Sequence, residues 1–352
     1  MQNGFYLEGI MVNIKAISPV IRKINIENFA RNYAAPLKNK RMLKFQDKIS
    51  KDALVLHLKA FSSPKMEGRG IGQKGEMLAR EYIVEEFKKS GLEQFEQIGL
   101  KDYTHSFEIK NKYITKTIPY DEYLEGVIAD PSNPSKIETA NIIGLIKAKK
   151  PTNDYFLITA HYDHLGMTDD RKIFYPGADD NASSLSILLE IARNMKNTPP
   201  KKNVVFVALS CEEHYREGSK KLAELLVKSG IKDNIDLVNL EMMGGVSGKT
   251  LDLWTGKSGR TENITEGIKD AASAVGIKIR THKNNLKSDD EVFMNRNIPS
   301  VGLVWDFFSK KNHKYCHSPN DTAENINHDV FEKAAKTVSA ICYNIANLRY
   351  KK

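Results

Sequence analysis

From Tyr155 onward short apolar runs alternate with longer amphipathic segments, and this rhythm leaves few architectures open to the chain. Tyr155 to Ala160 is followed by Asn181 to Met195, and Val204 to Leu209 by Ser219 to Lys228. Leu237 to Met242 and Leu251 to Trp254 precede Glu262 to Ala274, and Ser300 to Trp305 precedes Asp329 to Leu348. Short apolar runs suit buried strands, whereas apolar residues recurring every three or four positions suit helices. The alternation predicts an α/β fold, a mostly parallel central sheet flanked by helices on both faces. Ligands of such sheets collect at the C-terminal ends of the strands, so the site is expected there.

Upstream, Leu54, Leu58 and Phe61 mark one face of a helix over Lys51 to Phe61, and Ala79, Tyr82, Ile83 and Phe87 mark another between Glu76 and Ser90. Gly91 follows where a helix C-cap glycine belongs. Residues 1–45 show no clean period and include the basic connector Leu37 to Arg41 after Pro36, so they read as a loosely packed N-terminal extension to a single domain over 46–352. Asp121 to Thr139, with Pro131 and Pro134, reads as a surface excursion. Gly70-Ile71-Gly72-Gln73-Lys74-Gly75 matches a dinucleotide fingerprint letter for letter, but the polar, proline-broken stretch before it is no buried strand. It reads as a glycine-rich turn into a helix.

Composition removes several classes. No stretch approaches a membrane span, and Met1 to Lys15 lacks the basic-then-apolar order of a signal peptide. Cys211, Cys316 and Cys342 form neither a C-x-x-C pair nor a disulfide framework. The net charge of +9 is spread among acids rather than gathered into a stripe, which points to a solvated lysine-rich surface and away from nucleic acid. No motif speaks to oligomeric state or compartment.

Chemistry concentrates in dispersed residues at or just past the apolar runs. His161 closes Leu157 to Ala160, Asp179 lies in Pro176-Gly177-Ala178-Asp179-Asp180-Asn181, and Glu212-Glu213 follows Ala208 to Cys211. Glu241 ends Val238 to Leu240, and His317 lies in Tyr315-Cys316-His317-Ser318-Pro319-Asn320-Asp321. Imidazole and carboxylate suit a borderline divalent cation such as zinc, and an extra carboxylate can bridge two cations, so the set reads as a two-metal hydrolase site. Asp163, two residues after His161 on an extended chain, is placed to accept the other ring proton, whereas His164 points elsewhere and reads as structural or pocket-lining. Asp180 and Asn181 read as helix caps, and Asp179, after Gly177-Ala178, as a bridging carboxylate. Of the Glu212-Glu213 pair, one carboxylate can bind an ion while its neighbour moves the proton of a water.

These blocks, in order, resemble the M28 family of zinc aminopeptidases, whose members carry A-H-Y-D-H-L-G, P-G-A-D-D-N-A-S, a Glu-Glu pair, an N-L-D-M-I-G-like strand and a late Y-H-x-P-x-D. The likeness runs from about Leu54, through Glu67-Gly68-Arg69, to Thr322. It implies two divalent cations, zinc in the family, one held by His161 and Glu241 and the other by Glu213 and His317. Asp179 would bridge them, Glu212 would be the general base and acid, and Asp321 would support the ligands. The expected activity is removal of N-terminal residues from peptides. Met242, Phe307 and Phe308 read either as an apolar pocket for the first side chain or as core packing.

Three positions depart from the family pattern. Glu241 stands where Asp is usual, Cys316 stands where many members place Tyr, with Tyr315 one residue off, and Ser288-Asp289-Asp290 replaces S-D-H. A carboxypeptidase or dipeptidase of the same fold would need a cation for the substrate carboxylate, for which Lys310, Lys311 and Lys314 are near His317 in sequence. An inactive metal-binding interaction domain would be expected to lack a ligand or the base, and no such loss is seen. A serine hydrolase is disfavoured because G-x-S-x-G does not occur.

Overall fold

The computed structural model describes residues 4–7, 10–13, 35–110, 136–168, 170–256, 261–284 and 286–348. Its contacts divide the chain into two units, Met1–Lys44 and Phe45–Lys352. The first carries an antiparallel hairpin of β1 (Gly4–Leu7) and β2 (Ile10–Asn13), with Phe5 opposite Val12 and Tyr6 opposite Met11. Helix α1 spans Ala35–Gln46. The loose packing expected of residues 1–45 falls on side chains that, as far as residue 39, lie outside the described residues.

The second unit runs α2 (Lys51–Phe61), α3 (Lys74–Lys89), β3 (Thr104–Lys110), β4 (Lys136–Ile146), β5 (Tyr155–His161) and α4 (Ser184–Met195). It continues with β6 (Asn203–Leu209), α5 (Glu217–Lys228), β7 (Ile235–Glu241), β8 (Thr250–Trp254) and α6 (Glu262–Ala274). Then come β9 (Lys278–His282), α7 (Asp289–Met294), β10 (Ser300–Trp305) and α8 (His328–Asn347). One sheet of order β3-β4-β6-β5-β7-β10-β8-β9 forms the frame. Its middle strands β6, β5, β7 and β10 are parallel, and β8 and β9 are parallel to each other. The pairs β3–β4, β4–β6 and β8–β10 are antiparallel.

The alternation of a strand explains how both faces are covered. Leu157, Val205, Val207 and Leu237 meet Leu222, Leu226 and Phe293 from α5 and α7 in one buried cluster. Phe156, Ile158, Val204 and Phe206 point the other way, equally buried, where α4 packs on the strands. Because the parallel register aligns His161 with Leu209 and Glu241 with Val304, the last residues of β5, β6 and β7 lie at one end of the sheet. Among the described residues no helix is long and apolar enough to cross a membrane.

Several features were not anticipated. Strands β3 and β9 and the short helix α7 have too few apolar positions to stand out, and the antiparallel flanks follow where no helix separates successive strands. Lys136–Thr139 begins β4 instead of belonging to an excursion, and residues 121–135, the rest of that expected segment, lie outside the described residues. Helix α4 starts at Ser184 and not at Asn181, because residues 178–183 form an irregular turn. Helix α3 ends as its sequence predicts. Gly91, at φ +67°, lets its own N–H reach Lys88 O and that of Leu92 reach Phe87 O, closing the open carbonyls.

Phe206 is fully buried in a strand flanked by β4 and β5. Phe206→Ala is expected to cost about 3–5 kcal/mol of unfolding free energy, read as a fall in the urea midpoint.

Candidate metal centre

Strand ends set the first donors. His161 is 1% exposed and sits with Nε2 at 3.2 Å from Glu241 Oε1 and 3.2 Å from Asp180 Oδ1. Its Nδ1 meets the backbone carbonyl of Asp163 at 3.0 Å, whereas the Asp163 carboxylate is 3.8 Å away. That carboxylate instead accepts the backbone N–H groups of Glu212 and Glu213, so it ties the turn after β6 to the end of β5. The histidine's partner is thus the Asp163 carbonyl, and not the carboxylate that the sequence led one to expect. Burial depresses the His161 imidazole, and Glu241 and Asp180 outweigh this and hold it well above its ordinary value.

The carboxylate between the two halves of the site is Asp180, and the expectation for Asp179 is corrected. Asp180 places Oδ1 by His161 and Oδ2 at 3.0 Å from His317 Nε2. Asp179 turns away: Oδ1 accepts the N–H of Gly244 and Oδ2 pairs with His313, whose Nε2 meets Trp305 O at 2.8 Å. Asp180 has extended φ/ψ of −105° and 94°, and neighbouring residues of an extended chain project to opposite sides. In a run of two aspartates the sequence alone does not tell which side faces the site. The turn is held from three directions. Asp321 accepts the N–H groups of Asp179 and Asp180 at 2.9 and 3.1 Å, Asn181 donates to Leu240 O and accepts Met242 N–H, and Arg69 donates to Gly177 O just ahead of the turn.

Glu213 and His317 complete the second half, with Glu213 Oε2 at 3.3 Å from His317 Nε2. His164 also belongs here, contrary to the expectation that it points elsewhere: its Nδ1 is 2.7 Å from Glu213 Oε1. Burial opposes charge on Glu213, and His317 and His164 overcome it and hold the carboxyl far below the usual range. The donor atoms of His164, Asp180, Glu213 and His317 lie within 4.8 Å of one another, as do those of His161, Asp180 and Glu241. Two imidazole–carboxylate groups sharing one carboxylate fit a pair of borderline divalent cations.

Glu212 is half-buried beside these groups. Burial, with Asp289, Glu241 and Glu213 adding to it against His161, pushes its carboxyl well up. Glu241 keeps Oε2 for the Ser288 hydroxyl at 2.7 Å, Ser288 accepts from Asn239 Nδ2, and Asn239 accepts from Thr159 Oγ1. Ser288 is therefore what the altered S-D-D block contributes, while burial raises the Asp289 carboxyl to about 6 and Asp290 further. Cys316 points its thiol at Asp180 Oδ2, 3.4 Å away, and Tyr315 lies instead under Lys314 Nζ, 4.5 Å from its ring centre. Met242 is half-buried at φ +39°. Phe307 and Phe308 belong to an aromatic group with Trp254, at 5.3 and 6.4 Å between ring centres, and the Phe307 ring lies 6.2 Å from that of His313, the partner of Asp179. Lys311 and Lys314 line a crevice with Asp179 and His313, while Lys310 does not line it.

Arg69 was read only as part of a motif, yet its guanidinium is 0% exposed and donates to Tyr162 O, Phe61 O, Pro176 O and Gly177 O at 2.7–2.9 Å. Burial lowers it to about 10, with Asp180, Asp321, Asp163 and Glu213 pulling the other way, so it stays a cation at neutral pH.

Comparison with known proteins places this geometry. The profile described as Peptidase family M28 matches residues 141–342. Aminopeptidase YwaD of Bacillus subtilis is 31% identical over 209 residues, covering 58% of this chain and 44% of the relative. The alkaline phosphatase isozyme conversion protein of Escherichia coli is 25% identical over 181 residues, covering 49% and 46%. The chain thus spans less than half the length of these two curated relatives. Among solved structures, the zinc aminopeptidase BSAP from Bacillus subtilis superposes with a TM-score of 0.65 at 18% identity, covering 86% of this chain and 97% of that one. The aminopeptidase from Aneurinibacillus sp. strain AM-1 does so at 0.67 and 18%, covering 87% and 96%. At such identity these two likenesses speak for the fold.

Asp180→Asn is expected to lose zinc from both donor groups, whereas Asp179→Asn retains both; zinc per chain, counted by plasma mass spectrometry after gel filtration, separates them. Arg69→Met leaves buried carbonyls unpartnered and is expected to destabilise the metal-free protein by about 3 kcal/mol or more, measured by chemical denaturation.

Proposed function

Taking as premise that the chain belongs to peptidase family M28, we propose that it is a two-cation aminopeptidase, removing residues from the free N-termini of peptides. The observation that carries the reading is one carboxylate, Asp180, shared by two donor groups. His161, Asp180 and Glu241 would hold one cation, and Asp180, Glu213 and His317 the other. When bound there, the two cations supply Lewis acidity to the scissile carbonyl and to the attacking water.

The chain's own residues do the rest. Glu212 takes the proton of the attacking water on a carboxylate oxygen and returns it to the nitrogen of the leaving amine. Burial, which raises its carboxyl, makes it a stronger acceptor for that proton. The acids around Glu212 and Glu241 provide a counter-charge for the substrate α-ammonium, favouring a free N-terminus. Ser288 and the Asp163 carbonyl orient Glu241 and His161 through the atoms that face away from the donor groups. Met242 and the aromatic pair Phe307 and Phe308 are candidates to meet the first side chain.

A carboxypeptidase or dipeptidase is the second reading, supported by Lys311 and Lys314 in the crevice beyond Asp179. Mass spectrometry of peptides with free or acetylated N-termini, incubated with zinc-loaded protein, decides between them. Stepwise loss of first residues from the free peptides alone is the expected outcome; loss from the C-terminus, or cleavage of acetylated peptides, would overturn it. Glu212→Gln is expected to bind zinc like the parent and to lose about 10²–10⁴-fold in kcat; near-parental turnover would remove Glu212 from the role.

A further inference from the structure

One donor group includes a buried imidazole to which the reading above gives no task. His164 is 0% exposed, its Nδ1 is 2.7 Å from Glu213 Oε1, and it is 3.9 Å from Asp180 Oδ2. Resting on the two-cation reading, we propose that His164 is a positioning residue: its Nδ1–H donates to Glu213 Oε1, leaves Oε2 as the single oxygen offered beside His317, and raises cation affinity at that site alone.

Distance argues for a hydrogen bond over shared ligation. Two donors each about 2.0–2.1 Å from one tetrahedral zinc stand about 3.3 Å apart, whereas 2.7 Å is the span of a charge-assisted N–H···O bond. The tautomer points the same way. A neutral imidazole carries one N–H, and His164 Nε2 is buried without a hydrogen-bond partner among the described residues. If Nδ1 gave its lone pair to a cation, the proton would sit on that partnerless Nε2, and an orphaned N–H is rarer in buried sites than an orphaned acceptor.

The other half of the site uses the same device with a different donor. Glu241 turns Oε1 to His161 and gives Oε2 to the Ser288 hydroxyl; Glu213 turns Oε2 to His317 and gives Oε1 to His164. Each terminal carboxylate thus has one oxygen committed to a neutral donor and one facing its histidine. The His164 ring is seated against the turn that carries Asp180, where Gly177 leaves it room: a Cβ there would come 2.5 Å from His164 Cδ2.

Two measurements on the full chain test this. In zinc-loaded protein with ¹⁵N-labelled histidine, a long-range ¹H–¹⁵N correlation should find His164 protonated on Nδ1, with no metal shift on either nitrogen. A metal-shifted Nδ1 would make His164 a ligand and overturn the proposal without any variant. Zinc titration against a chromophoric chelator should show two binding steps, one of them weakened about 10–100-fold in His164→Phe and partly restored in His164→Gln, whose amide can donate. Equal weakening of both steps, no weakening, or a Gln variant no better than Phe would each overturn it. A folded parent that takes up no zinc would bring down the two-cation reading itself, which is distinct from two intact steps insensitive to His164.

Discussion

One buried guanidinium holds the site's scaffolding together. Arg69 spends its donors on carbonyls from the end of α2, from the residue after His161 and from the turn before Asp180, segments far apart in sequence. A cation bound only by neutral dipoles has no single partner to satisfy, so it attracts the acids around it without quenching any of them. Asp180, Asp321, Asp163 and Glu213 all feel it. Reaching that position requires a tight reversal: Glu67, Gly68 and Arg69 all have positive φ, and a Cβ on Gly68 would come 2.4 Å from Tyr175 O.

Around this hub, backbone amides are collected by carboxylates that do not face the donor groups. Asp163 gathers the amides after β6, Asp321 those of the Asp179–Asp180 turn, and Asp179 that of Gly244 after β7. Each acid joins two segments distant in sequence, so the donors are held by loop-to-loop bonds and not by their own flexible stems. Two of the three departures from the family pattern fit among these bonds. Glu241, one methylene longer than the usual aspartate, has its outer oxygen fixed by Ser288, and the Cys316 thiol leans on the shared Asp180 carboxylate.

Much of this was legible in the chain because apolar periodicity and dispersed ligands are local signals. The strands ending in His161 and Glu241 and the helix over Glu262–Ala274 emerge from spacing alone. What stayed hidden depends on which way a residue turns within a non-repeating segment. Asp179 and Asp180 are the same residue type one position apart, and only the irregular turn after Gly177 decides between them. His164 follows His161 by three residues across a chain that has left the strand, so the alternation of an extended chain does not set its direction. Arg69 offered no periodic signal, since its importance lies in carbonyls contributed by distant segments.

The donors come from the end of β5, the turn before α4, the turn after β6, the end of β7 and the loop after β10. A cation binding there would fasten loops that the chain alone joins only through long excursions. Such binding stabilises the folded state by RT ln(1 + [L]/Kd), about 2.7 kcal/mol when the free cation is at 100 times its dissociation constant. Resistance to proteolysis and heat would then rise and fall with cation supply, making the protein's lifetime a readout of the same ions its proposed chemistry requires.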